Sequence, residues 1–448
     1  MTQGQMRRSD LEVEFLTPCF LGGAEPQQAC EWRAASIRGQ LRWWFRAVAG
    51  GHFRGDLPAV REAEIRVFGA TSQASALRIA ALGEPRTTPP SRVPWDDPKL
   101  SAENLARQWG AGGKPNPATV QRLRITGRNG QPVSSSPIQY LGYGCIGFRG
   151  LERPCVLPDP AHGVKCRFQW RERVWKSLGS EISELFELAL WCWFHLGGIG
   201  AKSRNGFGSL ACRGVDGDLP CGASLKLVEP SLRELEAGMT RALKIGSCAG
   251  DGLPRWSHLS PRSRIFLAND PLSTWSDAMA RIGGWLIAYR RRYGFPGEMR
   301  SKDGRSLRDR DYVWASPSAD GGPAFRQGLP DRAGFGLPLP FEKKDKRFGQ
   351  VGVYGETVNW RPGGEDPSEP LKENRRSSPL LIHIARLGKG EYIPVLTHMS
   401  AQFLPEDAVL AFKHQPRISA PPSEAQIGAV DHFCNDLMAK NLIREVKA

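Results

Sequence analysis

Residues Leu196 to Leu210 read LGGIGAKSRNGFGSL, with glycines set around Lys202, Ser203, Arg204 and Asn205. An apolar run before this stretch reads as a helix and the run after it reads as a strand. Glycine tolerates positive φ and allows close approach to the main chain, while successive N–H groups and two cations can contact an anion. The arrangement therefore suits a phosphate backbone. Chain direction narrows the ligand. A nucleotide P-loop runs strand, loop, helix and needs G-x-x-x-x-G-K-[ST], whereas this loop follows a helix and Ala201 stands where the glycine before Lys202 belongs. The dinucleotide pattern G-x-G-x-x-G fails as well, because Gly198 and Gly200 would need a third glycine at Ser203. A plain connector that ends one helix and starts a strand is the other reading.

Working outward, Ser180 is placed to cap a helix over Glu181 to Leu196, and residues Gly208 to Arg213 form the strand after the loop. Leu11 to Phe20 has strand character, and Ser36 can cap a helix through IRGQLRWWFRAVAG. In that helix Ile37, Leu41, Trp44, Phe45 and Val48 make one apolar arc. Arg38, Arg42 and Arg46 recur every fourth residue beside it, with Arg33 just upstream. This is either a ladder for successive phosphates or a solvated helix face. Trp43 lies off the arc, placed to stack on a base or to pack on a neighbouring element. Further strands are expected at Glu64 to Phe68, Ala76 to Leu82, Ile138 to Phe148 and Val164 to Trp170, giving the β-α-β-β-α-β order of a ferredoxin-like domain.

The second half repeats the scheme: a strand at Arg264 to Leu267, a helix at Leu272 to Tyr293, and a short strand in GFGLPLPF ending at Phe341. A hairpin follows in SPLLIHIARLGKGEYIPVL, turning at Gly388 to Gly390, and then a terminal helix at Glu424 to Lys440. Polar, Pro- and Gly-bearing insertions are expected near 83–117, 298–323 and 359–373, the last as a mobile segment. The fold class is α+β, two tandem ferredoxin-like domains with loop insertions, spanning 1–225 and 226–448.

The 448 residues carry a formal charge of +15, spread over both halves, which favours a polyanionic partner. Ten cysteines include no C-x-x-C pair, so zinc is disfavoured, and the absence of a secretory signal points to reduced thiols in the cytoplasm. The run Leu185 to Leu196 is far shorter than the ~20 residues that cross a bilayer, so no membrane partner is expected. Asp, Glu and His show no metal spacing, and neither a metal nor another cofactor is expected.

The segments TPCFLGGAEPQ (17–27), SIRGQLRWWFRA (36–47), GGIGAKSRNGFGSL (197–210) and RRSSPLLIHI (375–384) together resemble the RAMP superfamily of CRISPR proteins. Within it the chain is most similar to the two-domain first subunit of Cmr-type, or type III-B, effector complexes. The resemblance implies RAMP/RRM-like domains and a non-catalytic subunit working in antiviral defence beside other RAMP subunits. It would bind guide RNA and target RNA, near the guide 3′ end and the 5′ part of the target. Carried over position by position, it implies RNA contacts at Arg38, Arg42, Lys202, Ser203, Arg204, Arg375 and Arg376, with Gly198 and Gly200 shaping the loop. Arg33 and Arg46 join them from the stripe alone. Some RAMP proteins are metal-independent endoribonucleases, so His195, at the helix end before the loop, and His52 are candidate bases. An assembly protein without RNA contact is a third possibility.

Overall fold

The computed structural model describes residues 5–95, 125–126, 132–133, 136–147, 150–247, 252–291, 331–337, 339–345, 352–366, 374–412, 419–422 and 424–448. The first half runs β1 (Met6–Phe15), α1 (Ala34–His52), α2 (Leu57–Phe68), β2 (Leu77–Leu82), β3 (Val164–Arg171), α3 (Ser180–His195) and β4 (Leu210–Asp216). Its sheet has the order β4-β1-β3-β2 with every pairing antiparallel, the ferredoxin-like arrangement. Strand β3 shows why: Val164, Cys166, Phe168 and Trp170 are buried, and each strand alternation puts the same side on the helices. The sheet is covered by α1 and α3, which bury Ile37, Leu41, Trp44, Phe45 and Val48 from the first and a nearly continuous apolar run from the second.

The second half contains α4 (Leu232–Gly246), β5 (Arg264–Ala268), α5 (Trp275–Arg291), β6 (Leu339–Asp345), β7 (Gly352–Arg361), β8 (Leu380–Arg386), β9 (Tyr392–His398), β10 (Val409–Phe412), β11 (Ser419–Ala420), α6 (Ala429–Ala439) and β12 (Ile443–Glu445). The order β8-β9-β5-β12 repeats the first sheet, strand for strand. Strands β6, β7, β10 and β11 form a separate antiparallel sheet inserted into that scheme.

Several expectations need correction. Glu64 to Phe68 is the end of helix α2, because Asp56 accepts from the Ala59 N–H and Pro58 fits the first turn, while Val60, Ala63 and Val67 share a buried face. Ile138 to Phe148 is not one strand: Ser136 caps a short helix, Pro137–Leu141, and only Ile146–Gly147 is extended. Neither proposed serine cap is used. Helix α1 starts at Ala34 with Arg33 as its N-cap, and α3 starts at Ser180 after Gly179, whose φ of +89° only glycine adopts readily. GFGLPLPF begins instead as the end of a 3-10 turn, Asp331–Phe335, with the strand starting at Leu339. Asn359 to Arg361 finish β7 rather than opening a mobile segment. Gly428 divides the terminal helix, separating Glu424–Ile427 from α6.

The insertion expected from residue 83 is tied down where it is described. Thr87–Thr88 pairs with Cys155–Val156, and the Trp95 ring meets Trp275 edge-on at 5.7 Å. The span 298–323 and the end of 359–373 lie outside the described residues.

One hydrophobic core runs through both halves. Its polar seam is specific. Ile384 N–H donates to Ser209 Oγ at 3.1 Å, Ile382 N–H to the Arg204 carbonyl at 2.9 Å, and His383 Nδ1 pairs with the Gly197 carbonyl at 2.6 Å. Arg386 donates to Glu14 Oε1 at 2.7 Å, where Glu14 is nearly inaccessible. A carboxylate buried this deeply must be matched by a cation, because an unpaired buried charge costs several kcal/mol, of order 3–5. The glycine stretch therefore faces β8 of the other half as well as its own strand β1.

Candidate nucleic-acid interface

The loop between α3 and β4 doubles back on itself. Ile199 N–H donates to the Gly208 carbonyl at 3.0 Å, Ala201 N–H to the Phe20 carbonyl at 2.9 Å, and Gly208 N–H to the Pro18 carbonyl at 2.9 Å. Two of the glycines named from the sequence explain the closeness. A Cβ on Gly198 would lie 2.9 Å from the Gly208 oxygen; one on Gly200, where φ is +86°, would lie 2.6 Å from the Phe20 oxygen. Their use is to bring main chains together.

The apex is different. Lys202 is exposed and sits in the left-handed region at φ +61°, an uncommon conformation for a side-chain-bearing residue. Asn205 N–H closes the turn onto the Lys202 carbonyl at 2.8 Å. Ser203 beside it is half-buried. Among the described residues Lys202 has no carboxylate partner.

Arg204 points the other way. It donates to the Ser378 carbonyl at 2.5 Å and its guanidinium lies 5.2 Å from the centroid of the Trp43 ring. Burial, and secondarily the neighbouring Arg376, pull its pKa down to about 10. Trp43 is thus held between this cation and an edge-on contact with Trp44 at 4.9 Å. Arg376 donates through Nε to the Phe403 carbonyl at 2.7 Å and through a terminal nitrogen to the Gln402 carbonyl at 3.2 Å, and burial lowers its pKa. Arg375 next to it is exposed.

The stripe on α1 divides in the same way. Arg42 Nε and an Arg46 terminal nitrogen both donate to Glu64 Oε1, at 2.6 and 2.7 Å, and Glu64 is buried on α2. Both guanidiniums are still about two-fifths exposed, at 37% and 41%. Arg33 is exposed and Arg38 half-buried, and among the described residues neither has an ion-pair partner. The structure therefore sorts eight sequence-derived cations into Lys202, Arg33, Arg38 and Arg375, which have no ion-pair partner among the described residues, and Arg42, Arg46, Arg204 and Arg376, which are engaged. A strand over Glu64 to Phe68 hides this role of Glu64, whereas the helical spacing of Val60, Ala63 and Val67 points to it.

The two candidate histidines lie in different settings. His195 is 4% exposed, packs its ring at a tilt on Trp191 at a centroid distance of 4.8 Å, and is pushed down to about pKa 3 by burial and then by His383. His52 pairs through Nε2 with Glu181 at 2.7 Å on the surface. Among the described residues no group of three or more His, Cys, Asp or Glu is arranged to hold a metal, and no helix is long and apolar enough to cross a membrane.

Residues 12–211 match the RAMP superfamily. The CRISPR system Cmr subunit Cmr1-2 of Pyrococcus furiosus is 28% identical over 211 residues, covering 46% of this chain and 95% of that protein. The Cmr1-1 subunit of the same organism is 26% identical over 203 residues, 45% of this chain and 46% of its own length. The crystal structure of apo Cmr1 from Pyrococcus furiosus aligns with a TM-score of 0.51 at 19% identity, covering 98% of this chain and 99% of that one. The last comparison supports the fold: the tandem ferredoxin-like architecture is shared from end to end.

Proposed function

On the strength of this RAMP-superfamily resemblance, we propose that the chain is a non-catalytic RNA-binding subunit of a type III-B CRISPR effector complex. It would lie near the 3′ end of the guide RNA and the 5′ part of the target, beside other RAMP subunits in the cytoplasm. The two domains divide near residue 225. The observation that carries the reading is Lys202: an exposed cation, unpaired among the described residues, at the apex of a loop whose base is bonded to both halves. A cation so fixed meets a phosphate without first losing the freedom of a mobile loop. Arg38, Arg33 and Arg375 extend the positive surface, and Arg42 and Arg46 keep exposed donors while Glu64 orients them. Phosphate contacts of this kind give affinity with little sequence preference and strong salt dependence.

The test is binding of single-stranded RNA across a salt series. The charge-reversed pair Arg38→Glu and Lys202→Glu is expected to weaken binding and to flatten the log–log salt slope by roughly one unit per lost phosphate contact. The urea midpoint should stay at the wild-type value. Unchanged affinity in the double variant would remove these residues from the interface.

A further inference from the structure

Tyr143 is the largest side chain of a tight turn and is 59% exposed, while its neighbours Leu141, Cys145 and Ile146 are buried. The turn is rigid. Cys145 and Ile146 N–H both donate to the Gly142 carbonyl, at 2.8 and 2.9 Å, and Gly144 supplies the positive φ of +86° that the reversal needs. The preceding helix is equally fixed: a Cβ on Gly283 of α5 would lie 2.5 Å from the Pro137 carbonyl oxygen, so the two helices cross in direct contact.

This turn is fastened to the glycine loop. Asn205 Nδ2 donates to the Leu141 carbonyl at 2.9 Å, and a Cβ on Gly142 would lie 2.8 Å from the Phe207 ring. Two cations, Lys202 and Arg153, act electrostatically on Cys145, two residues from Tyr143, together with the carboxylate of Glu152. Lys202 and Arg153 are exposed and, among the described residues, unpaired. An exposed aromatic on a hydrogen-bonded turn, with cations nearby that are unpaired among the described residues, suits single-stranded nucleic acid: the phosphates meet the cations and a base covers the ring.

We infer that Tyr143 is a nucleobase-stacking residue, receiving an unpaired base of single-stranded RNA whose flanking phosphates contact Lys202 and Arg153. The inference rests on the RNA-binding reading above and adds to it a base contact at the turn that Asn205 fastens to the loop. Stacking needs only a π-face, so the site accepts any base and discriminates against duplex RNA, whose bases are not available.

The full chain is titrated with a fluorescently labelled, unstructured single-stranded RNA at several salt concentrations, and 4-thiouridine crosslinks are mapped. Tyr143→Ala is expected to raise Kd about fivefold or more at every salt concentration, leaving the salt slope unchanged, because stacking releases no counterions. Tyr143→Trp should retain wild-type affinity, and the crosslink should fall on Tyr143 or its turn. If Tyr143→Ala binds as tightly as wild type while Lys202→Glu binds weakly, the stacking role is wrong and the RNA reading stands. If Tyr143→Ala and Tyr143→Trp weaken binding equally and both lower the thermal midpoint, the residue is structural. A wild-type chain that binds no single-stranded RNA overturns both readings, and leaves Tyr143 as a protein-docking residue at most.

Discussion

Arg204 and Lys202 are two residues apart, carry the same charge and belong to different parts of the molecule's chemistry. Arg204 bonds to a carbonyl 174 residues away and stacks on Trp43, so removing it leaves the Ser378 carbonyl short of a donor and Trp43 without its cation. Arg204→Ala is expected to cost ~1–3 kcal/mol of stability. Lys202→Ala should change stability by no more than ~0.5 kcal/mol, since an exposed side chain that has no partner among the described residues contributes little to folding. Urea denaturation of the two variants checks the contrast, and equal losses would show that Arg204 is not built into the seam. Both variants should weaken RNA binding, Arg204→Ala partly through the loop it holds.

At the scale of elements, the loop between α3 and β4 works because its glycines have no Cβ. Gly200→Ala would force a non-glycine residue to φ +86° and drive its Cβ to 2.6 Å from the Phe20 oxygen, a main-chain atom that cannot turn aside. The conformational term alone is ~1–2 kcal/mol, and the displaced contact adds to it. The thermal midpoint should therefore fall by several degrees, with Gly22→Ala, which meets nothing within 4 Å, as the neutral control. A Gly200→Ala chain as stable as wild type would show that the loop base is not held against the Phe20 strand extension. Elements with strong periodicity were legible in the sequence: α1 from its apolar arc, β3 from its alternation, and β8 and β9 from apolar runs around a glycine turn. Helix α2 was not, because the β-branched pair Ile65 and Val67 imitates a strand over five residues, and only the cap at Asp56 and the more distant Val60 restore the helical period. The short helix at Pro137 failed similarly, its apolar residues being too few to show a period.

In the molecule as a whole, the two halves meet across buried histidines. Burial lowers His383 to about pKa 4, and His195, also buried and next to it, to about 3. Both are below the ordinary value near 6.5, so the folded state holds them neutral while the unfolded state takes up protons first. Their contribution to pH dependence is absent above about pH 6.5, where both states are neutral. Stability falls as pH drops from there toward 4, by as much as ~1.4 kcal/mol per pH unit for a single such histidine. His258, lowered by burial, acts in the same direction. Asp10 and Asp431 have pKa values below the ordinary carboxylate value and lose their contribution only at lower pH. Urea midpoints at pH 7.5 and 5 should therefore differ, with the lower value at pH 5, and His383→Asn should narrow the gap. Identical midpoints would mean that the histidines are not buried at the seam.

The sequence alone determined the sign and spread of the charge, the order of most secondary elements and the doubled ferredoxin-like plan. These are properties of composition and of short-range periodicity, and they can be read along the chain. Only the tertiary structure decided which cations are available. Arg42 and Arg46 are bound by Glu64, 22 and 18 residues away, and Arg204 and Arg376 by carbonyls of the second half. Tyr143, unremarkable in sequence, is exposed on a turn that Asn205 and Phe207 hold against the glycine loop. Ion pairing and burial are set by which distant segments meet in space, and no local pattern of residue types encodes that meeting.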